Sequence, residues 1–156
     1  FVHMTFSSTR SLIIRRIEVG ILGNLTDIDT TMTPFEAGLA PFINMNKGDC
    51  IGREALVDAD RRCLLVGLTC QTATPAAGSV ILDAGSAVGH ITAGVPSPTL
   101  GCGIGYARFN QPGEWVGRSM QLKLTDGSLH ACNIVSLPFF DPDKNIVRGI
   151  DRTIPD

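Results

Sequence analysis

Met120-Gln-Leu-Lys-Leu-Thr-Asp-Gly-Ser-Leu-His-Ala-Cys-Asn-Ile-Val135 is the stretch that decides how most of this chain is read. Met120, Leu122 and Leu124 alternate with Gln121, Lys123 and Thr125, so one face of an extended segment is apolar and the other polar. Asp126-Gly127 follows, a pair that supplies the positive φ angles of a tight primed turn, and the chain then returns through a second extended run. A β-hairpin is the expectation.

Upstream of the hairpin the same grammar repeats. From Cys63 onward, short apolar runs are broken by turn residues every eight to twelve positions, the pattern of an all-β barrel or sandwich. Cys63–Cys70, Ser79–Asp83, Ala87–Ala93 and Gly101–Phe109 read as strands, with Pro112-Gly113 as a turn. Gly101-Cys102-Gly103-Ile104-Gly105 has the wrong spacing for a dinucleotide loop and opens no helix, so close backbone approach within a strand explains its glycines better. The tail from Pro138 reads as a polar surface segment.

The first third is different. Residues 1–9 carry weak strand alternation, and Ser7-Ser8-Thr9 offers hydroxyl caps to a helix running from Arg10 to about Val19. Ile13, Ile14, Ile17 and Ile21 fall at helical spacing and are expected on one face, with Gly20 and Gly23 as stops. Asn24–Thr33 is a polar loop, and Phe35–Met45 reads as strand-rich, closing in the turn Asn46-Lys47-Gly48-Asp49. Gly52–Asp60 suggests a short helix with Ala55 and Leu56 facing inward.

Composition excludes several classes. Apolar residues make up 44% and charged residues 18%, so the chain folds rather than staying disordered. The 13 basic residues are scattered and the net charge is −2, which leaves no basic stripe for nucleic acid. No apolar run approaches a membrane span, so neither nucleic acid nor membrane is an expected partner. Cys50, Cys63, Cys70, Cys102 and Cys132 lack paired spacing and read as free thiols in a reducing, cytoplasmic compartment. His3, His90 and His130 have no companions at metal-ligand spacing, and Asp27 and Asp29 offer too few oxygens for a cation, so solvation and capping explain them. Arg16 and Glu18 lie two apart on the helix and point in different directions, so each needs its own partner, a salt bridge from helix to loop being the plain choice. Glu36, in apolar surroundings, must cap, pair or meet a polar ligand edge.

Arg16-Ile17-Glu18-Val19-Gly20, Asp27-Ile28-Asp29 and Thr33-Pro34-Phe35-Glu36-Ala37-Gly38-Leu39 resemble the R-[LI]-E-x-G … D-[IM]-D … TP-[LF]-E-x-GL series of the aminomethyltransferase (glycine-cleavage T-protein) family. The likeness continues through Lys47–Leu56, Val66-Gly67-Leu68, Gly94–Leu100 and Leu137–Pro142. The resemblance implies an α+β chain, the tail of a folate-binding α/β domain (1–58) followed by a small antiparallel β-barrel of jelly-roll type (59–145) and a surface tail (146–156). It also implies tetrahydrofolate as cofactor and one-carbon transfer from a small-molecule amine or sulfonium substrate. Arg10, Arg16, Glu18 and Glu36 are the residues it assigns to the folate region, although the position four before Arg16 is Leu12, with Arg10 two residues earlier. The family's aspartate near the reactive folate nitrogen has no counterpart here, and a start at Phe1 suggests a C-terminal fragment that is inactive alone. The alternatives are a non-enzymatic folate-binding relative and a β-barrel interaction module. If residues 1–58 are a remnant, the helix face bearing Ile13, Ile17 and Ile21 has lost cover, and self-association through it is expected.

Overall fold

In a computed structural model the chain is described over residues 8–48 and 50–152. The strand expected at the N-terminus, His3 and Asp49 lie outside the described residues, whereas Ser8 and Thr9 begin a helix instead.

Six strands form the body: β1 (Leu65–Cys70), β2 (Val80–Asp83), β3 (Ser86–Ser97), β4 (Cys102–Phe109), β5 (Ser119–Lys123) and β6 (Leu129–Val135). All neighbours are antiparallel, in the closed order β1-β4-β3-β2-β5-β6. Closure leaves no unpaired edge. Val66, Leu68, Ile81, Ile91, Phe109, Leu122 and Ile134 point inward and fill the barrel. The expected hairpin is β5–β6, but its turn differs. Gly127 has φ 89° while Asp126 is not in the positive region, and the Leu124 amide bonds the Ser128 carbonyl. A three-residue loop with one left-handed glycine needs a positive φ at Gly127 alone, and the Asp126 side chain accepts from the Ser128 amide instead.

Gly94, Gly103 and Gly105 of β3 and β4 are explained by the β1–β2 loop, which plugs one end of the barrel. A Cβ on Gly94 would stand 2.1 Å from the Pro75 carbonyl oxygen, and one on Gly103 would stand 2.1 Å from that of Ala73. Backbone meets backbone there, so no side chain fits.

A second, smaller core lies outside the barrel. Helix α1 (Thr9–Glu18) packs on the outer face of β3 and β4, with Ile17 against Leu65, Val95, Ile104 and Tyr106. β3 reaches this face by a bulge: Ile91 pairs with Ala107 and Ala93 with Tyr106, leaving Thr92 as the extra residue. Before the bulge Gly89 and Ile91 face the interior; after it Val95 and Ser97 face α1. Ser8 caps the helix start, its Oγ accepting from the Ser11 amide at 3.4 Å. The helix stops where Gly20 turns left-handed at φ 76°, with Gly20 N bonded to Ile17 O and Ile21 N to Arg16 O.

Four further expectations need correction. Ile13, Ile14, Ile17 and Ile21 do not share one buried face. Ile17 is buried with Ile14 beside it, but Ile13 and Ile21 stay open, because Ile21 lies beyond the Gly20 turn where the helical phase no longer holds. Residues 35–45 hold no strand: Pro34, Pro41 and the left-handed Gly38 break the run, leaving turns and a 3-10 segment, Ala40–Phe42. The short helix α2 (Arg53–Val57) forms but buries nothing; Ala55 is exposed and Leu56 half-buried. Finally, the start of the tail is not simply surface. Phe139 packs into the outer core, its ring 6.3 Å from that of Tyr106, and the Phe140 amide bonds the Glu18 carbonyl at 2.9 Å.

Candidate functional site

The conspicuous chemistry of the chain lies along the seam between α1, the loop after it, and the outer face of β3 and β4. Three carboxylates are engaged there.

Glu18, in the last turn of α1, is fully buried. Its two oxygens are taken separately: Ser97 Oγ donates to Oε1 at 2.6 Å, and Arg15 Nη1 donates to Oε2 at 2.9 Å. Asp27 is likewise fully buried, contrary to its expected solvated role. The loop curls so that the Gly23 amide reaches Asp27 Oδ2 at 2.7 Å, Arg16 Nη1 reaches the same oxygen at 2.8 Å, and Thr92 Oγ1 donates to Oδ1 at 2.7 Å. The bulge that sets Thr92 apart from the β3–β4 ladder therefore also supplies the barrel's bond to this loop. Asp29 completes the row. Arg108 Nη1 donates to its Oδ2 at 2.8 Å and the Thr31 amide to Oδ1 at 2.8 Å, and these partners hold its carboxyl well below the usual carboxylate range.

Between these clamps stands Tyr106, whose ring is buried beneath α1. Its hydroxyl donates to Ile21 O at 3.0 Å and lies 3.2 Å from Arg16 O, carbonyls that also accept from Arg16 Nη1 and from the Ile21 amide, so it adds a bond from β4 to the end of the helix and the turn after it. Burial pushes that hydroxyl above the usual tyrosine range, so it stays a donor at neutral pH. Arg16 also lies 5.9 Å from the Tyr106 ring centre, adding a cation–π contact.

Glu36 belongs to a different local unit. The Thr33 amide donates to its Oε2 at 2.7 Å and the Glu36 amide donates to Thr33 Oγ1 at 3.2 Å, a reciprocal cap. Its carbonyl accepts from the Leu64 and Leu65 amides, which pins the turn to the lead-in of β1. Arg10 is exposed on the first turn of α1. Arg16 and Glu18 thus share the seam, Arg10 sits at the far end of the same helix, and Glu36 stands apart.

Two concavities flank the seam. One is a groove of about 480 Å³, lined among others by Leu22, Leu39, Phe42, Leu65, Leu137 and Pro138. The other is an open apolar face of α1 formed by Leu12, Ile13, Val19 and Ile21, with Leu12 65% and Ile21 59% exposed. Among the described residues no group of three or more side chains is placed to hold a metal ion, and no helix is long and apolar enough to cross a membrane.

As a set, these residues suit a wall more than a reaction centre. Both oxygens of Glu18 and of Asp27 are bonded within the chain, so neither carboxylate is free to act as acid or base. What faces outward is Arg10, exposed on the first turn of α1, and separately the apolar face of Leu12, Ile13, Val19 and Ile21, which Arg15 and Arg16 also line. Thr92, Ser97, Tyr106 and Arg108 were not legible as site residues, since each is 65 or more positions from its partner.

The glycine cleavage T-protein C-terminal barrel domain matches residues 64–141. The aminomethyltransferase of Streptomyces coelicolor is 34% identical over 142 residues, covering 83% of this chain and 37% of that protein. That of Moorella thermoacetica is 33% identical over 122 residues, covering 76% of this chain and 33% of that one. Among solved structures, the glycine cleavage system aminomethyltransferase T from Bartonella henselae superposes with a TM-score of 0.71 at 28% identity, over 84% of this chain and 38% of that chain. The chain therefore spans little more than a third of the length of the curated relatives it matches.

Proposed function

Because the chain belongs to the glycine-cleavage T-protein family, whose C-terminal barrel domain it carries, we propose that it is the C-terminal part of a tetrahydrofolate-dependent one-carbon transferase. In this reading residues 1–58 are the remnant of the folate-binding domain, 59–145 the barrel domain and 146–156 a surface tail. The protein works in the cytoplasm on a small amine or sulfonium substrate.

The observation that carries the reading is the seam. Glu18 and Asp27, both fully buried and fully bonded, fix α1 and its loop on the barrel. A helix held that firmly presents Arg10 and its outer apolar face in one orientation, and orientation is what a transfer between two bound partners needs. Tetrahydrofolate, when bound, supplies the secondary amine that accepts the one-carbon unit. Arg16 and Glu18 buttress the wall, Glu36 holds the neighbouring turn, and Arg10 meets the acidic tail of the folate. None of the four supplies a free acid or base, so this chain alone binds without turnover.

Calorimetry with tetrahydrofolate tests the reading. Saturable binding that weakens about tenfold in Arg10→Ala is expected, equivalent to about 1.4 kcal/mol. Absence of any heat and of any shift in melting temperature would overturn it, and so would folate-dependent transfer catalysed by this chain alone. The open α1 face favours a second reading, a barrel that acts as an interaction module and associates through Leu12, Ile13, Val19 and Ile21.

A further inference from the structure

Two of the five thiols face one another inside the barrel. The β1–β6 register pairs Gly67 with Val135, Leu68 with Ile134 and Thr69 with Asn133. One step further, the last residue of β1, Cys70, stands opposite Cys132 within β6. Backbone direction fixes the kind of pair. The amide of Ile134 bonds Arg118 O and its carbonyl accepts from Gly117 N, so both point towards the β5 side. Those of Cys132, two residues earlier in the same strand, point the same way and not at β1. Cys70 and Cys132 are then a non-hydrogen-bonded pair, the kind whose Cα atoms approach to about 4.5 Å and whose side chains come closer. A disulfide accepts Cα separations of about 4.4–6.8 Å.

The surroundings agree. Both thiols are buried in the same interior cluster, and both are free. Burial, with the nearby Cys70 adding to it, pushes the Cys132 thiol up to about 11, so Cys132 stays protonated at neutral pH and is not the sulfur that attacks the oxidant first. Cys102 packs against the outer core rather than in the interior cluster, although Cys70 is near enough to raise its thiol as well, and Cys50 is exposed on the segment before α2. Cys70 is followed directly by the exposed Gln71 and Thr72, so fraying of that strand end admits a small oxidant.

We propose that Cys70 and Cys132 are a redox pair that forms a cross-strand disulfide, fastening β1 to β6, when the protein meets a peroxide. One sulfur attacks a peroxide oxygen; the O–O bond breaks, leaving a sulfenic acid and one water. The second thiol sulfur attacks the sulfenic sulfur; the S–O bond breaks, and a second water leaves with the remaining proton. Two thiols are oxidised and one peroxide is reduced to two waters.

The test uses the chain with Cys50→Ser, which removes the exposed thiol and leaves four. After hydrogen peroxide treatment and denaturation, thiol titration should find two, and a peptide map should link Cys70 to Cys132 through a bond that dithiothreitol reverses. Adding Cys102→Ser should leave that link intact, and adding Cys132→Ala should abolish it. If Cys132→Ala fails to fold, the peptide map of the parent still decides. Four intact thiols, a link that includes Cys102, or isolated sulfinic acids would each overturn the proposal.

Discussion

Replacing Arg16 by methionine removes the cation facing Asp27 while keeping an apolar stem beside Tyr106. Asp27 is fully buried and holds three partners within 2.8 Å, of which the Gly23 amide and Thr92 hydroxyl survive the change. Its charge is left without a counter-ion. Removing one partner of a buried pair costs about 3–5 kcal/mol. The Arg16 side chain is 27% exposed, so water already screens it, and two donors still hold the carboxylate. The lower end, about 3 kcal/mol, is therefore expected. For a chain of this length that lowers the melting temperature by about 10 °C. Trp115, stacked on Phe109 with ring centres 4.2 Å apart, gives the fluorescence signal for a urea titration. Asp27→Asn alone and the double substitution complete the cycle. The double variant should be more stable than the sum of the two losses predicts, by about 2 kcal/mol. An Arg16→Met protein within about 0.5 kcal/mol of the parent, or strict additivity, would refute the claim that this pair fixes helix and loop on the barrel.

Three shorter predictions follow from other parts of the molecule. Asp29 has its folded pKa depressed by Arg108 and Thr31, so its contribution is complete above the ordinary carboxyl value of 3.8 and fades as pH falls below it; urea midpoints taken between neutral pH and acid should drop more steeply in the parent than in Arg108→Met. Gly94→Ala drives a Cβ to 2.1 Å from a backbone oxygen and should cost about 3 kcal/mol, whereas Gly78→Ala enters open space and should cost about 1 kcal/mol from its positive φ alone; equal melting temperatures would contradict the plug at the barrel end. Light scattering should show concentration-dependent dimers that Leu12→Asp with Ile21→Asp abolishes, and a monomeric parent at high concentration would remove the association through α1.

How much was readable beforehand depended on the range of the interaction. The β5–β6 hairpin, the strand spacing from Cys63 onward and the limits of α1 follow from alternation, turn residues and caps, all signals confined to a few neighbours. The segment after Pro34 misled because apolar content alone does not separate a strand from packed turns; Phe35 and Ala37 are buried, but the backbone bonds stay within the turn and at the lead-in of β1. The family motif pointed to Arg16 and Glu18, yet not to what they touch. Thr92 and Ser97 reach the seam through the fold, and nothing in their local sequence distinguishes them from other strand hydroxyls. Asp27 looked solvated for the same reason: its burial comes from a helix, a loop and a strand meeting over it.

The extra residue at Thr92 means that β3 is read in two frames. From Gly89 to Ile91 the odd-numbered positions belong to the barrel interior; beyond the bulge the odd-numbered positions belong to the helix side. Excising Thr92 would restore a uniform parity and, at one stroke, turn Val95 and Ser97 inward and Gly94 outward. The interior would receive bulk where Pro75 leaves no room, and Glu18 would lose its hydroxyl partner. Substitutions along β3 are thus judged one site at a time, but a single-residue deletion there is judged by both cores together. The count of residues between Ile91 and Ala93 constrains the strand as firmly as any side chain in it.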